Sequence, residues 1–526
     1  MLVMHIASIT TIVSRLIEIC KVLIKKCMQL VIICMHMYRR PSRRTEIIKR
    51  IAVYSAMTAL VLIIVTALIL ITMGYRLDTD NGRVEQGALL QFATVPSGAT
   101  IEIDGKVISS KTPTKSSVLA GQHEFVMWRD GYETWRKGLD VKAGTLTWLN
   151  YARLVPKARP VVAVSLYPTL KASLATLDGQ TMLLQPDGSQ PSFQLADLRS
   201  DNVKTTSLTL PDTAYSDAKT SGVIHDFRID QWDSSGRYVL IQHSYADKKE
   251  WLVLDTQDVA ATKNVTKLLD LDIVSPKFSG TNGSTLFALS GSDVRKLDLS
   301  AGTISRSLVT NVTSFDLFNN NIITYLGTDA ANPAKRVVGV YRDGDGSPHV
   351  LRSFDSPTTV PLAIATSHYF NQDYVAIAEG NKVDILSGNY PNSGSSDISS
   401  LGKFGSFNFL TGVDRLLFSP TGNYLLVQSG TNFASFDIEH QKVAVSAVST
   451  TAITPLATLA WLDNNYVWSD FGGRASLREF DGANSYDINP VATGQSVTLS
   501  QNGRYLYSVG KTNSGLQLQR VRMILP

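Results

Sequence analysis

Between residues 157 and 526 one short pattern recurs: an apolar strand end, a polar turn that usually holds glycine, and a second apolar strand. Clear copies are Trp232-Asp-Ser-Ser-Gly-Arg-Tyr-Val-Leu-Ile241, Phe278-Ser-Gly-Thr-Asn-Gly-Ser-Thr-Leu-Phe287, Phe418-Ser-Pro-Thr-Gly-Asn-Tyr-Leu-Leu-Val427 and Leu499-Ser-Gln-Asn-Gly-Arg-Tyr-Leu-Tyr-Ser508. Weaker copies start at Phe318, Phe370 and Trp461, so successive anchors lie roughly 40 to 50 residues apart. A further strand ending in aspartate often follows, as at Asp255, Asp298 and Asp437. A unit this short cannot bury its own apolar faces and must stack on its neighbours. Four short strands per period make the blade of a β-propeller. With a degenerate unit at 166–188 the count is eight blades, and seven is the alternative. The last unit reaches Pro526 after three strands, so residues 161–166 are expected to supply its fourth strand and close the ring.

Ahead of the array, 23 residues from Ile51 to Met73 carry no charge, and 12 of them are Ile, Leu or Val. At ~1.5 Å per residue that is long enough to cross a hydrocarbon layer of ~30 Å, so the lipid bilayer is an expected partner. Before the stretch stand Arg39, Arg40, Arg43, Arg44, Lys49 and Arg50 with Glu46 alone; after it, Arg76 and Arg83 are offset by Asp78, Asp80 and Glu85. The positive side stays in the cytoplasm, which places residues 74–526 outside it. No small-residue cleavage site follows, so the helix is expected to remain as a signal-anchor.

The net charge of +5 conceals a division: residues 1–76 hold 11 basic and 2 acidic side chains, leaving 39 against 43 for the rest. An ectodomain with a formal charge of −4 and no basic stripe argues against nucleic-acid binding. The three cysteines, Cys20, Cys27 and Cys34, precede the apolar stretch, so the exported part has no disulfide framework and depends on a large core. Residues 1–36 are too interrupted by Arg15, Glu18, Lys21, Lys25 and Lys26 to be a second span. They read either as an interfacial amphipathic helix whose cysteines are acylation candidates, or as an extension upstream of a start at Met37.

Residues 74–86 read as a linker and residues 87–156 as short strands with turns. Ile101 and Ile103 flank Glu102 before the hairpin signal Asp104-Gly105, and a second hairpin runs from His123 through Trp128 and Asp130-Gly-Tyr132 to Trp135. This is the pattern of a small β-sandwich. Pro96-Ser-Gly-Ala99, Ile101-Glu-Ile-Asp-Gly105, Thr112-Pro113, Leu119-Ala-Gly-Gln-His123, Asp130-Gly-Tyr132 and Trp135 make the segment resemble the PEGA domain, a module of bacterial and archaeal surface proteins. Ser97 departs from the family's glutamate at a position expected to face solvent. The resemblance implies a surface module without chemistry of its own. Trp128, Tyr132 and Trp135, with Trp148, read as the core of this sandwich or as an aromatic platform for sugar. The run from Phe418 to Val427 similarly resembles the repeat of TolB-like and WD-like propellers, which implies fold and not function.

Against this mainly β background the sequence carries few catalytic signatures. The histidines after the anchor, His123, His225, His243, His349, His368 and His440, are scattered without metal-ligand spacing. There is no nucleophile elbow and no phosphate loop. Asp343-Gly-Asp345-Gly346 reads as a hairpin turn before a calcium loop, since no later glutamate completes it. The expectation is therefore a membrane-anchored surface scaffold, without cofactor or metal, whose propeller binds an envelope protein or a cell-wall glycan. The alternative is a glycan-cleaving propeller using Asp226, Asp230 or Asp373. Because the repeated residues only build blades, specificity is expected where the repeats differ. The longest such part is 197–225, read as an exposed polar loop with Asp201, Asn202, Asp212 and Asp217 as candidate ligand contacts.

Overall fold

The computed structural model describes residues 43–72, 75–77, 84–390, 400–447 and 459–526. Residues 1–36 with their three cysteines, the start candidate Met37, Met73 and most of the expected linker lie outside the described residues. Two compact units divide the chain, one gathering Met1–Leu89 with Ser117–Ala120 and Val141–Leu146, the other gathering Leu90–Ser116, Gly121–Asp140 and Thr147–Pro526.

The first unit contains a 30-residue helix, α1 (Arg43–Thr72). Pro41 precedes it and Gly74 follows it, with neither residue type between them, so nothing in the sequence breaks the helix inside those limits. Its segment Glu46–Ile69 is long and apolar enough to cross a membrane, and none of that stretch is buried. Ile63 and Tyr54 are each 66% exposed. The short strand Tyr75–Leu77 then pairs antiparallel with the start of Val84–Val95.

In the second unit the sandwich segment forms a sheet in the order Lys106–Val107, Thr100–Ile103, Gly121–Trp128, Trp135–Val141. Ile101, Phe125 and Met127 are fully buried, as are Phe92 and Leu149. The expected hairpin at Asp104-Gly105 has φ of 50° and 77°, the pair of left-handed conformations that such a turn needs. Ser97 is exposed and Ala99 buried, which is why the departure at Ser97 costs the fold nothing.

Among the described residues eight four-stranded antiparallel sheets follow, within 172–209, 225–264, 275–304, 312–354, 362–408, 415–447 and 459–490, with the eighth made of three strands from 498–522 plus Val161–Tyr167. They are numbered here as blades 1 to 8. Each consecutive pair shares a core: Leu183, Phe193, Phe227 and Leu252 between blades 1 and 2, for example, and Leu240, Trp251, Leu286 and Leu297 between blades 2 and 3. Tyr167, Met182, Leu184, Tyr507 and Leu518 join blade 8 to blade 1 and complete the circuit. That last core and the outermost position of Val161–Tyr167, paired from Val161↔Val521 to Tyr167↔Leu516, make an eight-bladed β-propeller.

The repeat's chemistry is structural. Trp232 Nε1 donates to the Leu174 carbonyl of the preceding blade, and Trp461 Nε1 does the same to Leu417, each at 3.0 Å. In the turn that follows, Asp233, Asp463 and Ser500 accept the backbone N–H of Tyr238, Tyr466 and Tyr505. Asp343 to Gly346 likewise forms the turn between Arg336–Arg342 and His349–Phe354.

Candidate functional site

In an antiparallel blade, the turn from first to second strand and the turn from third to fourth lie at one end, called here the hairpin end. The segment that passes to the next blade lies at the other, the crossover end. The expected single loop over 197–225 does not form, because Lys204–Thr209 is the outermost strand of blade 1, paired with Ser192–Asp197. Six residues at ~3.3 Å each carry the chain about 20 Å along the blade. Asp201 and Asn202 therefore sit at the hairpin end, and Asp212 and Asp217 at the crossover end: the four candidates make no common site. Asp201 is tied to blade 8, where its carboxylate receives Arg504 at 3.2 Å and its carbonyl receives Arg520 at 2.6 Å.

At the crossover end the segment between blades 1 and 2 covers a cluster that sequence spacing concealed. Glu250 and His243 are buried, and His243 Nδ1 lies 2.8 Å from Glu250 Oε1, with its Nε2 2.9 Å from His225 Nδ1. Glu250 also accepts from the Ser216 backbone N–H at 2.8 Å, from Ser216 Oγ at 2.7 Å and from Asn264 Nδ2 at 2.8 Å. Burial pushes the Glu250 pKa up, but hydrogen bonds from His243, Asn264 and Ser216 outweigh it and hold the carboxylate at about 2. The rings of His225, Phe227, His243 and Tyr245 stack along the blade, and Tyr215 stands edge-on to the first three. A bulge between Ile229 and Gln231 brings them together: counting from the hairpin turn at 233–237 alone would set His243 opposite Arg228, and the extra residue moves it opposite Phe227, with Tyr245 opposite His225.

At the hairpin end the sandwich segment meets blade 7. Lys137, 7% exposed, bridges Glu479 and Asp481, and Glu479 is fully buried. Trp135 Nε1 donates to Glu479 Oε2 at 2.8 Å, and Asn484 clasps the Arg136 backbone with bonds of 3.0 Å in both directions. Arg153 reaches Asp463 at 2.7 Å, and its backbone N–H donates to the Tyr466 hydroxyl at 3.0 Å. Burial raises the Glu479 pKa, with Lys137 working against it. The aromatic platform is corrected by this geometry. Tyr132 is 2% exposed and Trp135 wholly buried, the Tyr132 hydroxyl accepts the Leu525 N–H, and Trp128 is half-buried beside the Thr100 strand. A platform needs open ring faces; Tyr132 and Trp135 are spent on the core and the junction, which leaves Trp128 half-buried and Trp148 47% exposed.

Two of the three alternative acids are engaged locally, and the third, Asp230, lies half-buried on the first strand of blade 2. Asp226, on the first strand of blade 2, pairs with Lys171. Asp373, in blade 5, receives His368 at 2.9 Å and the Tyr390 N–H at 2.8 Å. A cavity of about 250 Å³ lies among the first strands of blades 4, 5 and 6, lined by Asp316, Phe318, Thr366, Ser367 and Phe418. Among the described residues no group of three or more His, Cys, Asp or Glu is arranged to hold a metal ion.

A search of curated protein sequences finds no match to the chain. Solved structures similar to it include Hsv2 of Kluyveromyces lactis, with 11% identity, 68% of this chain and 99% of that chain covered, and a TM-score of 0.37. The Swd1 β-propeller domain of Myceliophthora thermophila shows 9% identity, coverage of 70% and 100%, and a TM-score of 0.38. An oligogalacturonate lyase in complex with manganese shows 10% identity, coverage of 68% and 98%, and a TM-score of 0.38. The propeller rests on the eight sheets and eight shared cores of this chain rather than on these likenesses. Residues 88–156 match the PEGA domain family model, in agreement with the motifs from Pro96 to Trp135.

Proposed function

We propose that the chain is a membrane-anchored interaction platform of the cell envelope. In this reading α1 lies in the bilayer with Arg43, Arg44, Lys49 and Arg50 on the cytoplasmic side, the PEGA segment is an adaptor, and the crossover end of the propeller grips an envelope protein or cell-wall glycan. The observation that carries it is the junction: Lys137, Trp135 and Arg153 fasten the sandwich segment to blade 7 at the hairpin end. That fastening leaves the opposite end for a partner. A scaffold needs such rigidity, because a partner held at a fixed place gains from prepaid orientation.

The test incubates the full chain, in detergent micelles, with cell-wall glycans and peptides while binding and product formation are followed together. Binding without turnover is expected. Turnover that Asp226→Asn or Asp373→Asn abolishes would replace the platform with the glycan-cleaving alternative.

A further inference from the structure

We propose that His225, His243 and Glu250 form a proton-operated latch that holds segment 210–224 against blade 2 at neutral pH and frees it in acid. Leu210 ties the start of the segment to blade 1 through its N–H to the Pro191 carbonyl, and the hold on blade 2 is confined to the residues before Asp217. Leu210 and Ala214 are buried, Tyr215 sits edge-on to His225, Phe227 and His243 at ring distances of 5.7, 5.2 and 5.3 Å, and Ser216 gives both its donors to Glu250. Beyond Ser216 the chain is mostly solvent-facing, with Ile224 84% exposed.

The hydrogen-bond chain fixes where protons sit. An ionised Glu250 only accepts, so His243 Nδ1 carries a hydrogen, and a single proton lies between the two imidazoles. A further proton enters at the outer nitrogen of His225, creating a half-buried cation whose ring is stacked 5.1 Å from His243 and covered by Tyr215. The groups facing it are Tyr215 and Asp217 from the segment, His243 and Tyr245 from the second strand, Glu250 from the third and Asn264 from the fourth. Asp217 and Glu250 favour the charge, but burial and His243 oppose it and prevail, so the His225 pKa lies below its ordinary 6.5. Once the segment lifts, His225 is solvated and binds the proton at its ordinary affinity. The free form thus binds more protons than the latched form. The latch is complete above the ordinary histidine pKa and weakens as pH falls through the depressed one.

Hydrogen exchange of the full chain in micelles, corrected for the intrinsic effect of pH, tests this at about pH 7.5 and 5. Protection of the amides in 210–224 is expected to fall by up to ~10-fold for each unit of pKa depression, while blade 6 is unchanged. His225→Phe keeps a stacked ring that cannot titrate and is expected to abolish the acid response; His225→Gln serves if that variant does not fold. Protection unaffected by acid in the native chain, or an acid loss that persists in the variant, would overturn the proposal.

Discussion

Lys137 and its two carboxylates show how much a single residue decides. Removing the cation by Lys137→Met leaves Glu479 and Asp481 together without it, and breaking a buried pair in this way costs about 3–5 kcal/mol. The expected outcome is lower thermal stability and new protease cleavage between the sandwich and blade 1. Adding Glu479→Gln to Lys137→Met should restore part of the loss, since the buried charge goes with the lysine. Glu250 gives a pH prediction. Its carboxylate is held at about 2 against an ordinary 4.5, so its contribution, about 3 kcal/mol, is present above pH ~4.5 and lost as pH falls towards 2. Acid unfolding curves of the native chain and of Glu250→Gln should differ by that slope. These contacts were illegible in the sequence for a physical reason: Lys137 and Glu479 are 342 positions apart, and their meeting depends on the whole propeller closing first. His225 and His243 are only 18 positions apart, but the bulge between Ile229 and Gln231 shifts the register by one, and a count that lacks it puts the two rings on opposite faces.

At the scale of the element, Val161–Tyr167 is decisive because it gives the last sheet its fourth strand and places Tyr167 in the core joining blades 8 and 1. Deleting residues 157–168 is expected to lower the melting temperature of the whole array, read by calorimetry, and not only to loosen its start. A deleted chain that melts like the native one would refute closure by this strand. Replacement of residues 211–222 by a Gly/Ser linker is expected to leave circular dichroism unchanged, because both flanking strands remain. Extending the replacement back to Asp201 should destabilise blade 1 by removing Lys204–Thr209. That strand is where pattern reading failed. Lys-Thr-Thr-Ser-Leu-Thr buries one residue of six, because an outermost strand is wet on most of its surface and selection leaves it polar. The inner strands, buried on both faces between neighbouring blades, kept the apolar runs that made the repeat visible. The hairpin at Asp104-Gly105 was equally legible, since its backbone geometry admits few residue types.

For the molecule as a whole, the proposed anchor and the charge division between residues 1–76 and the rest predict a direction across the membrane. Protease added to intact cells should remove the propeller while sparing the basic N-terminal segment, and a protected propeller would reverse the topology. In the proposed platform the two ends of the propeller do different work. The hairpin end carries the sandwich at blade 7 and the Asp201 contacts to Arg504 and Arg520, while the crossover end carries Asp212, Asp217 and the histidine cluster. The measurement that bears most directly on this division is photo-crosslinking in living cells, with the reactive residue at position 217 in one strain and at position 201 in another. The platform reading predicts a discrete adduct with an envelope component from position 217 and none from position 201. Adducts from position 201 alone would contradict it.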